Sequence, residues 1–308
     1  MNTKGNYTRT MIKILNYGSL NIDRVYRVPH IVRPGETISS RSFLTFAGGK
    51  GANQSVAIAR AGGMVYHAGK VGRDGQWLVK KIAGFGVNTR FIRIAKNSTG
   101  HAVIQVDKKG ENAIFLYPGT NHQITRAEID NILCHFSPGD VLLLQNEINE
   151  VAYLIHAAHE QKLRICLNPA PMDRRIMKYP LREVNTFILN ETEGAALSGK
   201  TKPEAILDSL IKKMPESEIV LTLGKQGAIA RLPGQQPIKQ SSIRVKAVDT
   251  TAAGDTFIGY YLAGRVTGKS PAECLRQACE AAAVCVTRPG AMDSIPSIRQ
   301  VKAFTRLK

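Results

Sequence analysis

Short apolar runs bounded by turn residues alternate with amphipathic helical stretches through most of this 308-residue chain, and that rhythm restricts the fold more than any other feature. Strands covered on both faces read as nearly continuous apolar runs, whereas half-solvated strands alternate apolar with polar. Residues 12–17, 65–71, 141–145, 164–167, 186–189, 219–223 and 228–231 are mostly of the first kind. Helical patterns lie between or after them at 51–61, 75–83, 126–134, 150–160, 204–213, 253–266 and 272–286. Thr125 and Glu128 have the spacing of a capping box, and Pro271 suits a first helical turn. The alternation predicts an α/β fold with a central, mostly parallel sheet flanked by helices on both faces.

Two stretches break the rhythm. Residues 23–46 and 101–116 alternate apolar with polar and have no helix between their runs, so they read as hairpin-like strands outside the main sheet. Such a small sheet serves equally well as a lid or as a contact between copies. The fold is expected to occupy 11–308, with these segments at about 21–46 and 98–120. The polar residues 1–10 are expected to form a disordered extension.

Composition excludes several classes. No run of about 18 apolar residues is present, so no membrane span is expected. The start lacks the apolar stretch of a secretory signal, and the five cysteines form no C-x-x-C pair, which suits reduced thiols in the cytoplasm. Forty-two basic against 24 acidic residues give a net charge of +18. Pairs such as Lys80-Lys81 and Lys212-Lys213 never grow into a long run, and no nucleic-acid-binding motif accompanies them. The charge therefore reads as a basic surface on an enzyme of polyanionic substrates rather than as a nucleic-acid footprint.

Chemistry concentrates in two small-residue turns. In DTTAAGDTF (249–257) a turn feeds a helix start, where unpaired backbone N–H groups form a nest for phosphate charge. Asp255 stands at that site as a candidate general base, although an aspartate there could also be a simple N-cap. In FAGGKGANQ (46–54) a glycine-rich turn again enters a helix, without the spacing of a phosphate loop. Its Lys50 and Asn53 offer hydrogen bonds to hydroxyls.

Together with GSLNID (18–23), PGET (34–37), VGRD (71–74), GEN (110–112), PGTN (118–121), LNPAP (167–171), NETE (190–193), TLG (222–224) and VTRPG (286–290), these turns make the chain resemble the ribokinase-like (PfkB-type) carbohydrate kinases from Asn16 to Pro296. The resemblance implies a large sheet flanked by helices, a small β-sheet lid, and a homodimer formed through that lid. It implies transfer of the γ-phosphoryl group of ATP to the primary 5-hydroxyl of D-ribose or a close pentose, with 2-deoxyribose, fructose or a nucleoside as alternatives. A non-catalytic sugar sensor or nucleic-acid-binding protein is the alternative of another class.

By matched position, Asn21, Asp23, Gly49, Lys50, Asn53 and Glu147 would bind the sugar. The amides of Ala252, Ala253 and Gly254 would form the anion hole beside Asp255. Asn190 and Glu193 would meet Mg2+ and the ATP phosphates through water, while Thr222, Gly224, Gly254 and Cys279 would line the nucleotide site. Asp249, Thr251, Arg288, Gly290 and Ser294 would surround K+, largely through backbone carbonyls. Cys279 departs from the pattern, because the family often carries asparagine near the adenine and a thiol cannot replace an amide's hydrogen bonds.

Overall fold

The computed structural model describes residues 11–306, so the expectation for residues 1–10 lies outside the described residues. The first half of the chain runs β1 (Ile14–Tyr17), β2 (Asn21–Arg27), β3 (Ser42–Gly48), α1 (Lys50–Arg60), β4 (Val65–Gly72), α2 (Gln76–Gly84), β5 (Asn88–Ala95), β6 (Gly100–Val106), β7 (Asn112–Tyr117), α3 (Arg126–Leu133) and β8 (Val141–Gln145). It continues as α4 (Val151–Glu160), β9 (Arg164–Asn168), β10 (Thr186–Asn190), α5 (Glu191–Ser198), α6 (Pro203–Lys213), β11 (Glu218–Thr222), β12 (Ala228–Arg231), β13 (Ile238–Gln240), α7 (Ala253–Val266), α8 (Pro271–Cys285) and α9 (Ile298–Arg306).

The main sheet has the order β13-β12-β11-β10-β9-β8-β1-β4-β5, parallel from β11 to β5 and closed at one edge by the antiparallel β12 and β13. Period-two alternation divides its side chains between two cores. In β8, Val141 and Leu143 join the core under α1, α7 and α8, while Leu142 and Leu144 join the core under α3, α4 and α6. β11 repeats the pattern, with Val220 on the first side and Ile219 and Leu221 on the second. Truncating a fully buried residue of this kind, such as Leu143→Ala, costs about 2–5 kcal/mol.

β1 pairs in parallel with both β4 and β8, so the order of strands reverses direction between β1 and β8. In open α/β sheets the crevice at the carboxyl ends of strands beside such a reversal is where ligands bind. Glu147, Asn168, Asn190 and Thr222 stand at or just beyond the carboxyl ends of β8, β9, β10 and β11.

The two stretches expected outside the main sheet form a separate four-stranded sheet of order β3-β2-β6-β7. Each hairpin is antiparallel, and β2 joins β6 in parallel. Phe43, Leu44, Ile114, Phe115, Leu116 and Tyr117 are exposed on these strands.

Both capping expectations hold: Thr125 and Glu128 form a reciprocal box, and Pro271 opens α8. Sequence reading missed β5, β13, α5 and α9. β5 is an edge strand with only Phe91 buried, α5 is rich in small residues, and α9 buries only Val301. Among the described residues no helix is long and apolar enough to cross a membrane. Of the five free cysteines four are buried, while Cys134 is exposed.

Candidate active site

Three helix starts converge on one cavity. α1 begins after Gly49, which adopts φ 94° as its N-cap, a conformation that disfavours any side chain with a Cβ. At Gly51 a Cβ would lie 2.5 Å from the Ser19 backbone nitrogen, so only glycine lets this helix approach the loop after β1. Lys50, Asn53 and Gln54 occupy positions i, i+3 and i+4 and therefore share one helix face.

α7 begins after Ala252, whose left-handed φ of 60° is a strained conformation for alanine, and no side chain caps the helix. The N-cap role offered for Asp255 is thus excluded. Its carboxylate instead accepts from Asn53 Nδ2 at 3.0 Å and from Gln54 Nε2 at 2.9 Å. Asn53 Oδ1 is buried with no partner, leaving an acceptor beside the carboxylate. An added Cβ at Gly254 would meet nothing within 4 Å, so the helix start opens into free space. Of the three amides assigned to the anion hole, that of Ala253 is already engaged, in a long 3.3 Å bond to the Thr250 carbonyl.

Asn190 and Glu193 form the capping box of α5. The Asn190 side chain accepts from the Glu193 amide at 2.9 Å, and the Glu193 carboxylate accepts from Asn190 N and Nδ2 at 3.0 and 2.9 Å. Burial pushes the Glu193 carboxyl up. Lys50, Asn168, Asn190, Glu193, Gly254 and Asp255 all line a cavity of about 220 Å³. Asp255 is the main cause that holds the Lys50 ammonium above its usual value, with Glu147 and Glu193 adding to it.

On the side of the small sheet, Glu147 accepts from the Ser19 hydroxyl and from the Lys50 amide, the latter at 2.9 Å. Burial pushes its carboxyl up against the lowering effects of Lys50 and Ser19. Asp23, on β2, lies against Gly48 of β3, where a Cβ would come 2.1 Å from its Oδ2. Burial first, and then the Glu147 carboxylate, push Asp23 up to about 7. Asn21 accepts from Asn121 Nδ2 at 2.7 Å, so part of its hydrogen-bonding capacity is already used.

A second, larger cleft of about 700 Å³ shares Thr222, Thr250 and Gly254 with the inner cavity. Gly224, Phe257, Cys279, Ala282, Ala283 and Val286 also line it, so all four residues assigned to the nucleotide meet there. Burial pushes the Cys279 thiol up to about 12.

Asp249 fastens the two loops assigned to a monovalent cation. It accepts from Thr251 N and Oγ1 at 2.9 and 2.6 Å and from Gly290 N at 3.0 Å. Ser294 donates to the Ala291 carbonyl at 2.7 Å and lies 3.1 Å from Cys285 Sγ. The Arg288 side chain leaves this cluster and donates to Gln300 on α9, so only its backbone could take part. Sequence reading missed Cys285 here, and it missed Gln54, Gln145, Asn168 and Ser19 around Asp255 and Glu147. The shared face of Lys50, Asn53 and Gln54 was the signal that could have found Gln54.

Known proteins are similar to this chain over nearly its whole length. A ribokinase of Haemophilus influenzae is 34% identical over 297 residues, covering 93% of this chain and 96% of that protein. A deoxyribokinase of Salmonella typhi is 30% identical over 301 residues, covering 94% and 97%. The Arabidopsis thaliana ribokinase structure complexed with ribose and ATP superposes with a TM-score of 0.85 at 30% identity, covering 96% of this chain and 99% of that one. The family model "pfkB family carbohydrate kinase" matches residues 11–298, and this chain belongs to that family.

Proposed function

We propose that the protein is a cytoplasmic enzyme that transfers the γ-phosphoryl group of ATP to the 5-hydroxyl of D-ribose. The observation that carries this reading is the position of Asp255. Its carboxylate lines the inner cavity next to the uncapped start of α7, and that cavity opens through Thr222, Thr250 and Gly254 into the nucleotide-sized cleft.

ATP would lie with its base in the outer cleft near Cys279, Thr222 and Gly224 and its terminal phosphate at the helix start. Ribose would lie against Asn21, Asp23, Gly49, Lys50, Asn53 and Glu147. Asp255 removes the 5-hydroxyl proton as the oxygen–phosphorus bond forms and the bond to the bridging oxygen breaks, ADP leaving with that electron pair. The open amides at the start of α7, Gly254 foremost, and the Lys50 ammonium face the charge on the transferring group.

The residues present fit two cations. Both Glu193 oxygens are held in the α5 cap, so Asn190 and Glu193 suit a Mg2+ ion met through water, which when bound neutralises phosphate charge. The oxygen-rich loops of Asp249, Thr251, Arg288, Gly290 and Ser294 suit K+, with the Arg288 contribution restricted to its backbone. The exposed apolar side chains of the small sheet are proposed to be covered by a second copy of the chain, giving a homodimer.

The test is kcat/KM for ribose against 2-deoxyribose, fructose and ribonucleosides. The expected result is a preference for ribose. A site that hydrogen-bonds the 2-hydroxyl discriminates against its absence by as much as about 10⁴-fold. A preference for one of the others would keep the kinase and replace its substrate.

A further inference from the structure

Behind Asp255 the side chains of Gln54, Gln145 and Asn16 form a continuous buried chain, each no more than 1% exposed. We propose that Gln54 is a positioning residue for phosphoryl transfer, its amide oriented by the surrounding chain so that it holds the Asp255 carboxylate in the geometry needed to receive the proton. The inference rests on Asp255 as the base.

The orientation of each amide follows from two backbone carbonyls, which can only accept. Asn16 Nδ2 donates to the Gly51 carbonyl at 2.7 Å and to Ser55 Oγ at 2.8 Å, so Asn16 Oδ1 must be the acceptor for Gln145 Nε2 at 3.0 Å. Gln145 gives its other hydrogen to Gln54 Oε1 at 2.7 Å. That leaves Gln54 Nε2 with one hydrogen for Asp255 Oδ1 at 2.9 Å and one for Asn168 Oδ1 at 3.1 Å. Asn168 is fixed in turn, because its Nδ2 donates to the Ile188 carbonyl at 3.0 Å. A flipped Gln54 would set its oxygen against two other oxygens and its nitrogen against the Gln145 nitrogen. No low-energy flip exists.

The far end of the chain is neutral. His67 Nε2 donates to the Gly18 carbonyl at 3.2 Å, so its Nδ1 accepts from the Ser55 hydroxyl at 2.8 Å. Burial lowers its pKa to about 4, in keeping with an uncharged ring. The arrangement is not what stability alone would select. Gln145 Oε1 is left buried without a protein partner, which an apolar side chain would avoid. With Gln54 on one carboxylate oxygen and Asn53 on the other, the plane of Asp255 is fixed at the cavity wall.

The test compares Gln54→Met, of similar length and without donors, with Ser217→Ala, which loses a buried 2.6 Å bond to the Val184 carbonyl at the opposite ends of the strands. In Gln54→Met kcat should fall by about 10- to 100-fold, the scale of a misplaced reacting group, while KM for both substrates stays within about threefold. Ser217→Ala should lose thermal stability and keep its kcat. Should Gln54→Met not fold, Gln145→Met, which releases the Gln54 oxygen, replaces it, with about a 3- to 10-fold loss of kcat expected from the weakened constraint. A folded variant with kcat within about twofold of wild type, or with its loss confined to KM, overturns the inference. Asp255→Asn separates the two levels: if it keeps turnover, the base assignment fails. If it loses turnover while Gln54→Met does not, only the role of Gln54 fails.

Discussion

The inner cavity and the outer cleft meet at Thr222, Thr250 and Gly254 yet are built on different physics. The inner cavity is walled by Lys50, Glu193, Asp255 and amides whose hydrogen bonds are nearly all assigned. The outer cleft is three times larger and mostly apolar, with a thiol where a polar contact could stand. Low-dielectric, preorganised polar groups act on charge that develops in a transition state, whereas apolar walls contribute affinity roughly in proportion to area. Turnover should therefore be governed by the first and nucleotide affinity by the second.

The largest effect expected is on Asp255→Asn, which should retain its fold and ATP binding and lose about 10²- to 10⁴-fold in kcat, since an amide cannot take the substrate proton. Steady-state kinetics beside ATP titration measures both, and a loss of ATP binding would break the division between the cavities. Gly259→Ala comes next. Its Cβ would stand 2.3 Å from Ala57 Cβ and 2.7 Å from the Ile58 amide, forcing α7 away from α1. It should cost about 1–3 kcal/mol in urea unfolding and lower kcat as well, because Asn53 and Gln54 leave Asp255.

On the sugar side, Asp23 should respond to pH. Its carboxyl is held at about 7 by burial and Glu147, so it binds a proton in the folded protein at pH values where the unfolded chain has lost it. Its contribution to stability is present below pH 4 and is lost as pH rises through 7. Melting curves of Asp23→Asn and wild type should converge in acid, with the variant the more stable above pH 7. In wild type, KM for the sugar should rise as pH falls below 7, while KM for ATP stays level. A matching rise for ATP would contradict the separation of the two sites.

The smallest effect is expected at Cys279→Asn. A new amide hydrogen bond to the base, worth about 0.5–1.5 kcal/mol, should lower KM for ATP by about 2- to 10-fold and leave kcat unchanged. Kinetics at saturating sugar reads both values.

What the sequence disclosed divides along a similar line. Asp255, Gly254, Lys50 and Asn53 were legible because each sits in a short turn whose composition is itself the signal. The strands of the main sheet were legible because both faces are covered. Gln54, in the same turn, was passed over, because its role appears only through the buried amides of Gln145 and Asn168 that orient it. Residues 190–193 were read for their phosphate chemistry, while the helix they cap went unseen because Gly194, Ala195 and Ala196 show no amphipathic period. Arg288 belonged to a matched motif, but only packing against α9 reveals where its side chain goes. The small sheet was legible as strands, while the parallel pairing of β2 with β6 is a long-range fact that no local pattern carries.

In the proposed reaction Asp255 directs the γ-phosphoryl group to the primary hydroxyl of a sugar held at the switch between β1 and β8. The most direct test incubates the wild-type protein with ribose, ATP, magnesium and potassium and identifies the products by 31P NMR. Ribose 5-phosphate should form in step with ADP. ADP released without sugar phosphate, or phosphate on any other ring position, would contradict it.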